Sequence, residues 1–146
     1  MKHRHGFTLL EVMLSLAVVG IMSAVSVPVL SRVQTKNDLD AATRVLVQSL
    51  RRAEILAQSV DGDTSWGVSA QSGSITLFKG PSFAGRDSTY DEIFTVPTTV
   101  TATGLTEVVM AKFTGYPTTT GSVTLTSSVL PDTSTVTIQA KGTVTY

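Results

Sequence analysis

The first thirty residues constrain the fold of this chain more than any other segment. A short basic leader, residues 1–6, precedes about twenty apolar residues that contain a single carboxylate, Glu11. An ionised side chain at the centre of a bilayer costs on the order of 2.5–3.5 kcal/mol on insertion scales. An acid retained inside such a segment therefore indicates a function, and Glu11 needs a partner of opposite charge.

A secretory signal peptide and a plain signal anchor are the simpler alternatives for this segment. A signal peptide has an apolar run of about 7–15 residues before small residues at its cleavage site, and residues 23–26 (Ser-Ala-Val-Ser) could serve as that site. The apolar run here is longer, and Glu11 interrupts its start. A signal anchor explains Lys2 and Arg4 as the cytoplasmic positive flank, but it gives no role to Glu11 or Gly6.

The six residues from Gly6 to Glu11 are Gly-Phe-Thr-Leu-Leu-Glu. This motif resembles the processing site of type IV pilins and of the related pseudopilins. In that superfamily a dedicated prepilin peptidase cleaves after the glycine and methylates the new amino terminus, which here would be Phe7. The resemblance implies that residues 1–6 are a cleaved leader and that residues 7–30 form the transmembrane and assembly helix.

Physical chemistry independently suggests which cation could pair with Glu11. Cleavage would create a positive α-amine at Phe7, four residues and roughly 6 Å of helix rise away. A buried carboxylate is tolerated when a cation pairs with it and hydrogen bonds satisfy it. The superfamily implies that Glu11 of one subunit neutralises the Phe7 amine of its neighbour in a filament.

The helix is expected to continue beyond the membrane segment. Proline lacks the amide that the preceding turn needs, so Pro28 predicts a kink, and Gly20 weakens the helix further. Beyond them, apolar residues recur every three or four positions, which predicts one buried helix face. These residues are Leu39, Ala42, Leu46, Leu50, Ala53, Leu56 or Ala57, and Val60. We expect the helix to run from about residue 7 to residue 60, with residues 31–62 as its amphipathic continuation and Gly62 as a left-handed cap.

Residues 63–146 predict a β-rich globular part. Trp66, Val68 and Ala70 alternate with Gly67 and Ser69. After a Gln-Ser-Gly turn, Ile75, Leu77 and Lys79 alternate with Thr76 and Phe78, which is typical of a hairpin. Residues 80–91 show no period and predict a loop. Further strands are predicted at residues 92–96, 99–103, 107–113, 122–127, 135–140 and 143–146. The predicted fold class is α+β and pilin-like, with a long N-terminal helix whose outer half packs on an antiparallel sheet of about six or seven strands.

Several downstream segments resemble the H-type minor pseudopilins of type II secretion and the FimT-like minor pilins. These segments are residues 50–57, 65–68, 77–80, 113–115, 121–125 and 136–144. The resemblance implies a structural subunit of a type II secretion pseudopilus or a type IV pilus, assembled through its N-terminal helix. A ligand-binding minor pilin, such as a FimT-like DNA-uptake subunit, is the alternative.

Composition limits the other functional classes. The 146 residues contain no cysteine and carry no formal net charge, and loss of Lys2 and Arg4 with the leader leaves a charge of −2. No disulfide or thiolate site is possible, and no global basic character indicates nucleic acid. Many pilins close a C-terminal loop with a disulfide, so its absence favours a pseudopilin. Both histidines, His3 and His5, lie in the leader, so the mature chain has no imidazole for a triad or a metal site.

We expect no enzymatic activity, no cofactor and no metal site. Asp61 and Asp63 flank Gly62 but lack the ligand spacing of a calcium loop, so a turn is favoured. A second acidic cluster, in residues 87–92, is interpreted as a solvated loop. Trp66 is interpreted as an anchor between helix and sheet.

Arg51, Arg52 and Lys141 are the candidate nucleic-acid contacts, because phosphate binding needs converging cations. Their dispersal along the sequence favours solvated surface positions. The C-terminal segment, which carries the basic residues of DNA-binding FimT-like proteins, offers only Lys141. DNA is therefore a possible partner and not a favoured one.

The remaining partners are implied by the resemblance. They are other pilins or pseudopilins of a filament, the prepilin peptidase, an inner-membrane assembly platform and membrane lipid. The expected location is the inner membrane, crossed once, with the C-terminal domain outside the cytoplasm. From there the subunit would enter a periplasmic or cell-surface filament, as a minor, tip-associated or priming component.

Overall fold

The computed structural model describes the backbone of residues 6–146 and the side chains of residues 6–23 and 31–146. The chain forms two units, Met1–Gln34 and Thr35–Tyr146. Helix α1 (Leu9–Gln58) begins in the first unit and ends in the second.

In the first unit, α1 exposes apolar side chains around its whole circumference. Every described residue from Gly6 to Ser23 is exposed. The large apolar ones are Phe7, Leu9, Leu10, Val12, Met13, Leu14, Leu16, Val18, Val19, Ile21 and Met22. A helix that is apolar on all sides is stable only when lipid or other protein covers it.

In the second unit, α1 buries the face that its apolar spacing predicts. Six of the predicted residues are at most 4% exposed, namely Leu39, Ala42, Leu46, Leu50, Ala53 and Ala57. Leu56 and Val60 are half-buried. The helix ends at Gln58, and a 3-10 turn (Asp61–Asp63) follows, in which Gly62 has a φ of 66°. Gly62 is therefore left-handed as predicted, but Val60, with a φ of 57°, is the first left-handed residue after the helix, so Val60 and not Gly62 takes the cap position.

Eight strands form two antiparallel sheets in the second unit. They are β1 (Trp66–Gln71), β2 (Ser74–Lys79), β3 (Asp87–Thr95), β4 (Val100–Gly104), β5 (Glu107–Met110), β6 (Gly121–Ser127), β7 (Thr133–Ile138) and β8 (Val144–Thr145). The first sheet has the order β3-β2-β1-β5, and the second has the order β4-β6-β7-β8. Buried side chains from α1 and from both sheets form one core cluster. The predicted α+β, pilin-like fold class is therefore confirmed.

The observed strand pairing differs from the prediction, which was a single sheet of six or seven strands. Strands β1 and β2 form the predicted hairpin, with Trp66 opposite Lys79 and Gln71 opposite Ser74. Strand β1 also pairs with β5, whereas the intervening β4 pairs with β6. Alternation of apolar residues indicates where strands lie but not which strands pair, so the sequence pattern did not separate the two sheets.

Two strand boundaries also correct the predictions. Strand β3 begins at Asp87, well before the predicted start at Glu92. The acidic residues Asp87, Asp91 and Glu92 thus lie on an edge strand and not in a solvated loop. Strand β5 ends at Met110, and Phe113, which was predicted to lie in it, has a φ of 71°. That left-handed value is incompatible with a β-strand.

Residues 80–86 cover the face of the first sheet that points away from α1. Phe78 is completely buried on that face, and Phe83 packs against it edge to face, with ring centroids 5.5 Å apart. Glu107 Oε1 accepts a hydrogen bond from the backbone amide of Phe83 at 2.9 Å. Gly67 lies opposite Phe78, where a Cβ atom would come within 2.5 Å of the Phe78 ring. A glycine at position 67 makes room for this small second core.

Arg86 holds the covering segment in place. Its Nε donates to Asp91 Oδ2 at 2.8 Å, and its Nη1 donates to the carbonyl oxygen of Phe83 at 2.7 Å. The guanidinium group also lies 3.8 Å from the centroid of the Phe83 ring. The Arg86 side chain therefore fastens residues 80–86 to strand β3. It also contacts the ring of Phe83, which this segment packs against Phe78.

Candidate assembly site

The start of α1 is fixed by Thr8. The backbone amide of Val12 donates to the Thr8 carbonyl oxygen at 3.2 Å, and the amide of Glu11 donates to Thr8 Oγ1 at 3.3 Å. Thr8 is therefore the N-cap and Glu11 is the third helical residue, which is the Thr-x-x-Glu spacing of a capping box, and the bond to Thr8 Oγ1 is one of the two bonds of that motif. The sequence analysis did not single out Thr8, although the Thr-x-x-Glu spacing before an apolar run is the signal that identifies it.

Phe7 precedes the cap and lies outside the helix. The helix was expected to begin at Phe7, and it begins at Leu9 because Thr8 takes the capping position. Phe7 and Val12 line the same shallow depression, as expected for the apolar pair that flanks a capping box. The Phe7 side chain is nevertheless 84% exposed.

The predicted cleavage bond between Gly6 and Phe7 is accessible. Both residues are exposed, and a Cβ atom added at Gly6 would meet no other atom within 4 Å. The described fold therefore does not itself require glycine at position 6. A requirement for glycine there would have to come from an enzyme that binds this segment.

Glu11 carries the only carboxylate of the first unit's described residues, and it forms no ion pair with any residue that the structure describes. The nearby hydroxyls are satisfied inside the helix. Ser15 Oγ donates to the Glu11 carbonyl oxygen at 2.8 Å, and Ser23 Oγ donates to the Val19 carbonyl oxygen at 2.8 Å. Such bonds let serine lie in apolar surroundings. The Glu11 carboxylate itself is exposed.

The two predicted kink positions differ in how far the structure describes them. Gly20 lies within α1, exposed, with open space where a Cβ atom would be. Pro28 belongs to residues 24–30, whose side chains lie outside the described residues. The kink at these positions stays a prediction.

The three candidate nucleic-acid contacts do not lie together. Arg52 Nη2 pairs with Glu92 Oε1 at 2.6 Å, so its charge is engaged across the α1–β3 seam. Arg51 and Lys141 instead line one open cleft of about 290 Å³, together with Glu54. The structure thus brings together two residues that are far apart in sequence and separates two that are adjacent.

The acidic residues of β3 are engaged by neighbouring groups. Asp91 and Glu92 pair with Arg86 and Arg52, respectively. Hydrogen bonds from the hydroxyl and the backbone amide of Thr89 lower the pKa of Asp87 below its usual value. Among the described residues no group of three or more acidic or histidine side chains is arranged to hold a metal ion.

The turn at Asp61–Asp63 contacts the core through Trp66. The Trp66 indole Nε1 donates to the Asp61 carbonyl oxygen at 2.9 Å, and Trp66 is buried in the core cluster, as the sequence predicts. Asp63 forms an ion pair with Lys112. These contacts account for the turn as a structural element.

No helix among the described residues combines the length and the apolarity needed to span a membrane. The predicted span, residues 7–30, includes residues 24–30, whose side chains lie outside the described residues.

One family model matches the N-terminal segment of the chain. Residues 1–27 match the family model described as the prokaryotic N-terminal methylation motif. The match contains the predicted cleavage bond after Gly6 as well as Glu11, and it supports the type IV pilin and pseudopilin superfamily for this chain. No curated protein and no solved structure matches the chain.

Proposed function

We propose that the chain is a structural subunit, a minor pseudopilin or minor pilin, of a type II secretion pseudopilus or a type IV pilus. It acts by assembly through its N-terminal helix and not by catalysis. The observation that carries the proposal is the Glu11 carboxylate, which has no ionic partner among the described residues and lies in the first turn of a helix exposing apolar side chains on every side. The methylation motif that precedes it supports the same function.

The apolar surface of residues 9–23 gives the helix two successive environments. Before assembly, lipid of the inner membrane covers it, with the C-terminal domain outside the cytoplasm. After assembly, the helices of neighbouring subunits replace the lipid. The internal bonds of Ser15 and Ser23 suit both environments, because they leave no hydroxyl unsatisfied.

Pairing of the Glu11 carboxylate with a neighbouring subunit favours the assembled state over the free subunit. Cleavage after Gly6 leaves a positive amine on Phe7, directly before the helix cap. In the filament this amine and the Glu11 carboxylate of an adjacent subunit form a buried pair, which fixes the axial register of the two helices. The peptidase has access because the bond between Gly6 and Phe7 is exposed.

The proposal is tested by isolating filaments from cells that express the full chain. We expect the processed chain, beginning with N-methylated Phe7, in the sheared filament fraction, and the unprocessed chain only in the membranes of cells that lack the peptidase. A mature terminus near Ser26, or an intact Met1 in cells with an active peptidase, contradicts the proposal.

A second function, ligand binding by an exposed minor pilin, is supported by one observation. Arg51 and Lys141 line the same cleft, so two cations converge where DNA phosphate could bind. Phosphate binding weakens steeply with salt. Retention of DNA that falls with salt, and falls further in Arg51→Glu and Lys141→Glu but not in the already paired Arg52→Glu, would favour this function.

A further inference from the structure

The outer edge of strand β3 is open. Within the described residues β3 pairs with β2 alone, at one end of the first sheet. The strand at the other end, β5, is covered by a loop. The backbone amide of Thr118 donates to the Val109 carbonyl oxygen at 2.8 Å, and the amide of Ala111 donates to the Tyr116 carbonyl oxygen at 2.8 Å. The fold thus protects one edge of this sheet and leaves the other free.

The register of β2 and β3 shows which backbone groups point outward from the free edge. In an antiparallel pair, residues that exchange hydrogen bonds with the partner strand alternate with residues whose amide and carbonyl groups point away from it. The Val96 amide donates to the Gly73 carbonyl oxygen at 3.1 Å, and Thr95 lies opposite Ser74 as the next pair. Thr95 and Ile93 therefore direct their amide and carbonyl groups outward, where the described residues give them no backbone partner.

The side chains at this edge include two large apolar ones. Ile93 is 65% exposed and Phe94 is 36% exposed. Residues 92–95 contain no lysine and no proline, which are the residues that commonly block pairing at a sheet edge. The register shift in the pairing of β2 with β3 lies before residue 92. Residues 92–95, which we call the open edge, are therefore regular, extended and unblocked.

A small pocket between α1 and β3 adjoins the open edge. Phe94 lies opposite Ile75 of the core and faces α1, whereas Ile93 lies opposite Thr76 and faces the other side of the sheet. The pocket has a volume of about 180 Å³ and is lined by Val45, Gln48, Ser49, Arg52 and Phe94. A cavity of about 150 Å³ holds a benzene-sized group, so this pocket accommodates one large apolar side chain.

We propose that the open edge binds an extended segment of another subunit of the filament, which adds to β3 as a further strand. The residue of that segment opposite Phe94 faces α1 and places an apolar side chain in the pocket. The next residue along the segment contacts Ile93 on the other side of the sheet. Backbone bonds to Ile93 and Thr95 provide affinity, and the pocket provides specificity.

The charges beside the open edge favour an uncharged segment of this kind. Each acidic residue of β3 already has a cation near it. The pairs are Asp87 with Lys79, Asp91 with Arg86 and Glu92 with Arg52. A charged side chain or a phosphate would lose water at this edge without meeting a free counter-charge.

The partner is a different protein and not a second copy of the chain. A minor component of a filament is surrounded by subunits of other sequences, so the inference rests on the proposed function. A pair of copies joined through their β3 strands is the alternative that the experiment must distinguish.

Photocrosslinking in assembled filaments tests the contact from both sides of the sheet. The crosslinker p-benzoylphenylalanine replaces Gln48, at the pocket, in one full chain and Ile93 in another. We expect both chains to crosslink to one short segment of the same filament subunit, identified by mass spectrometry. The two crosslinked residues should lie an odd number of positions apart, because successive side chains of a strand point to opposite faces. The crosslinker at Thr103, exposed on the edge strand β4 of the other sheet, is the matched control and should not reach this segment.

Substitution of Ile93 separates backbone pairing from side-chain contact. Ile93→Pro removes an outward amide that forms no bond within the chain, so the fold should persist while the added strand loses a partner. The yield of the Gln48 crosslink should fall at least roughly fivefold. Ile93→Thr keeps the amide and should lower the yield less. Ile93→Lys blocks the edge with a charge that stays in water, and it replaces the proline variant if circular dichroism of the extracted chain shows that the proline disturbs folding.

Several outcomes overturn the inference and leave the proposed function standing. The first is an unchanged Gln48 crosslink in folded, processed chains that carry Ile93→Pro or Ile93→Lys. Others are crosslinks from the two positions to different subunits, to β3 of a second, differently tagged copy, or to lipid alone. Filaments that contain the chain but give no crosslink from either position also overturn it. Absence of the unsubstituted chain from filaments instead rejects the proposed function, and the inference with it.

Discussion

The hydroxyl oxygen of Thr8 accepts a hydrogen bond from the backbone amide of Glu11 at 3.3 Å. This bond makes Glu11 the third residue of α1, where the positive end of the helix dipole stabilises a carboxylate by about 0.3–1 kcal/mol. Glu11 therefore has a role within its own chain besides the proposed pairing with a neighbour. Glutamine fills the same position of a capping box without the charge, so it separates the two roles.

Processing should depend on the size of residue 6 and not on the stability of the fold. Gly6→Ala should be cleaved, whereas Gly6→Leu should keep its leader, because a bulky side chain beside the bond blocks the peptidase. The described fold has open space around Gly6, so neither substitution strains the chain itself. Mass spectrometry of the membrane fraction measures the result, and normal cleavage of Gly6→Leu would show that the motif is not a prepilin site.

The amphipathic part of α1 should be needed for a soluble domain. A fragment that begins at Asn37 keeps the buried helix face from Leu39 to Ala57 and should be monomeric, with a cooperative thermal melt. A fragment that begins at Thr64 exposes the apolar face of the sheets and should aggregate. Size-exclusion chromatography and circular dichroism decide between them, and equal behaviour of the two fragments would contradict the role of the helix in the core.

Gly67→Ala should destabilise the domain by about 1–3 kcal/mol, since its Cβ would lie 2.5 Å from the Phe78 ring. Denaturant unfolding of the fragment from Asn37 measures this loss. In the background of Phe78→Leu, where the ring is absent, the same substitution should cost clearly less. Equal costs in the two backgrounds would mean that the alanine does not meet the ring.

Asp87 should titrate below the usual range of aspartate. Hydrogen bonds from Thr89 favour its charged form, so the pKa in the folded state is below that of the unfolded chain. The stability it contributes is present above the unfolded-state pKa and is lost as the pH falls through the folded-state pKa. NMR titration of the Asp87 carboxyl carbon tests this. Thr89→Val should raise the pKa towards its usual value, and an unchanged midpoint would show that the Thr89 hydroxyl is not the cause.

Local periodicity predicted those parts of the fold that depend on short-range order. The buried face from Leu39 to Ala57 and the hairpin of β1 and β2 follow from spacings of 3.6 and 2 residues. The Thr8 cap also had a local signal, in its spacing from Glu11. These features could be derived because neighbours in sequence fix them.

Features that depend on distant contacts could not be derived in this way. Phe83 covers Phe78 from a segment without periodicity, and Arg86 holds that segment through Asp91. The convergence of Arg51 and Lys141 depends on how the C-terminal turn packs beside α1. No spacing in the sequence encodes such contacts, since they arise from strand pairing and packing between remote residues.

The central claim is that the Glu11 charge drives assembly, and the incorporation of Glu11→Gln into filaments tests it most directly. The full chain, Glu11→Gln and Glu11→Val are expressed in cells that assemble filaments, and mass spectrometry quantifies each processed chain in membranes and in sheared filaments. We predict that all three begin at Phe7 and remain in the membrane, but that both variants are depleted from filaments more than a hundredfold, because an unpaired buried amine costs about 3–5 kcal/mol. Incorporation of Glu11→Gln at the level of the unsubstituted chain would contradict the account, since capping alone would then explain Glu11.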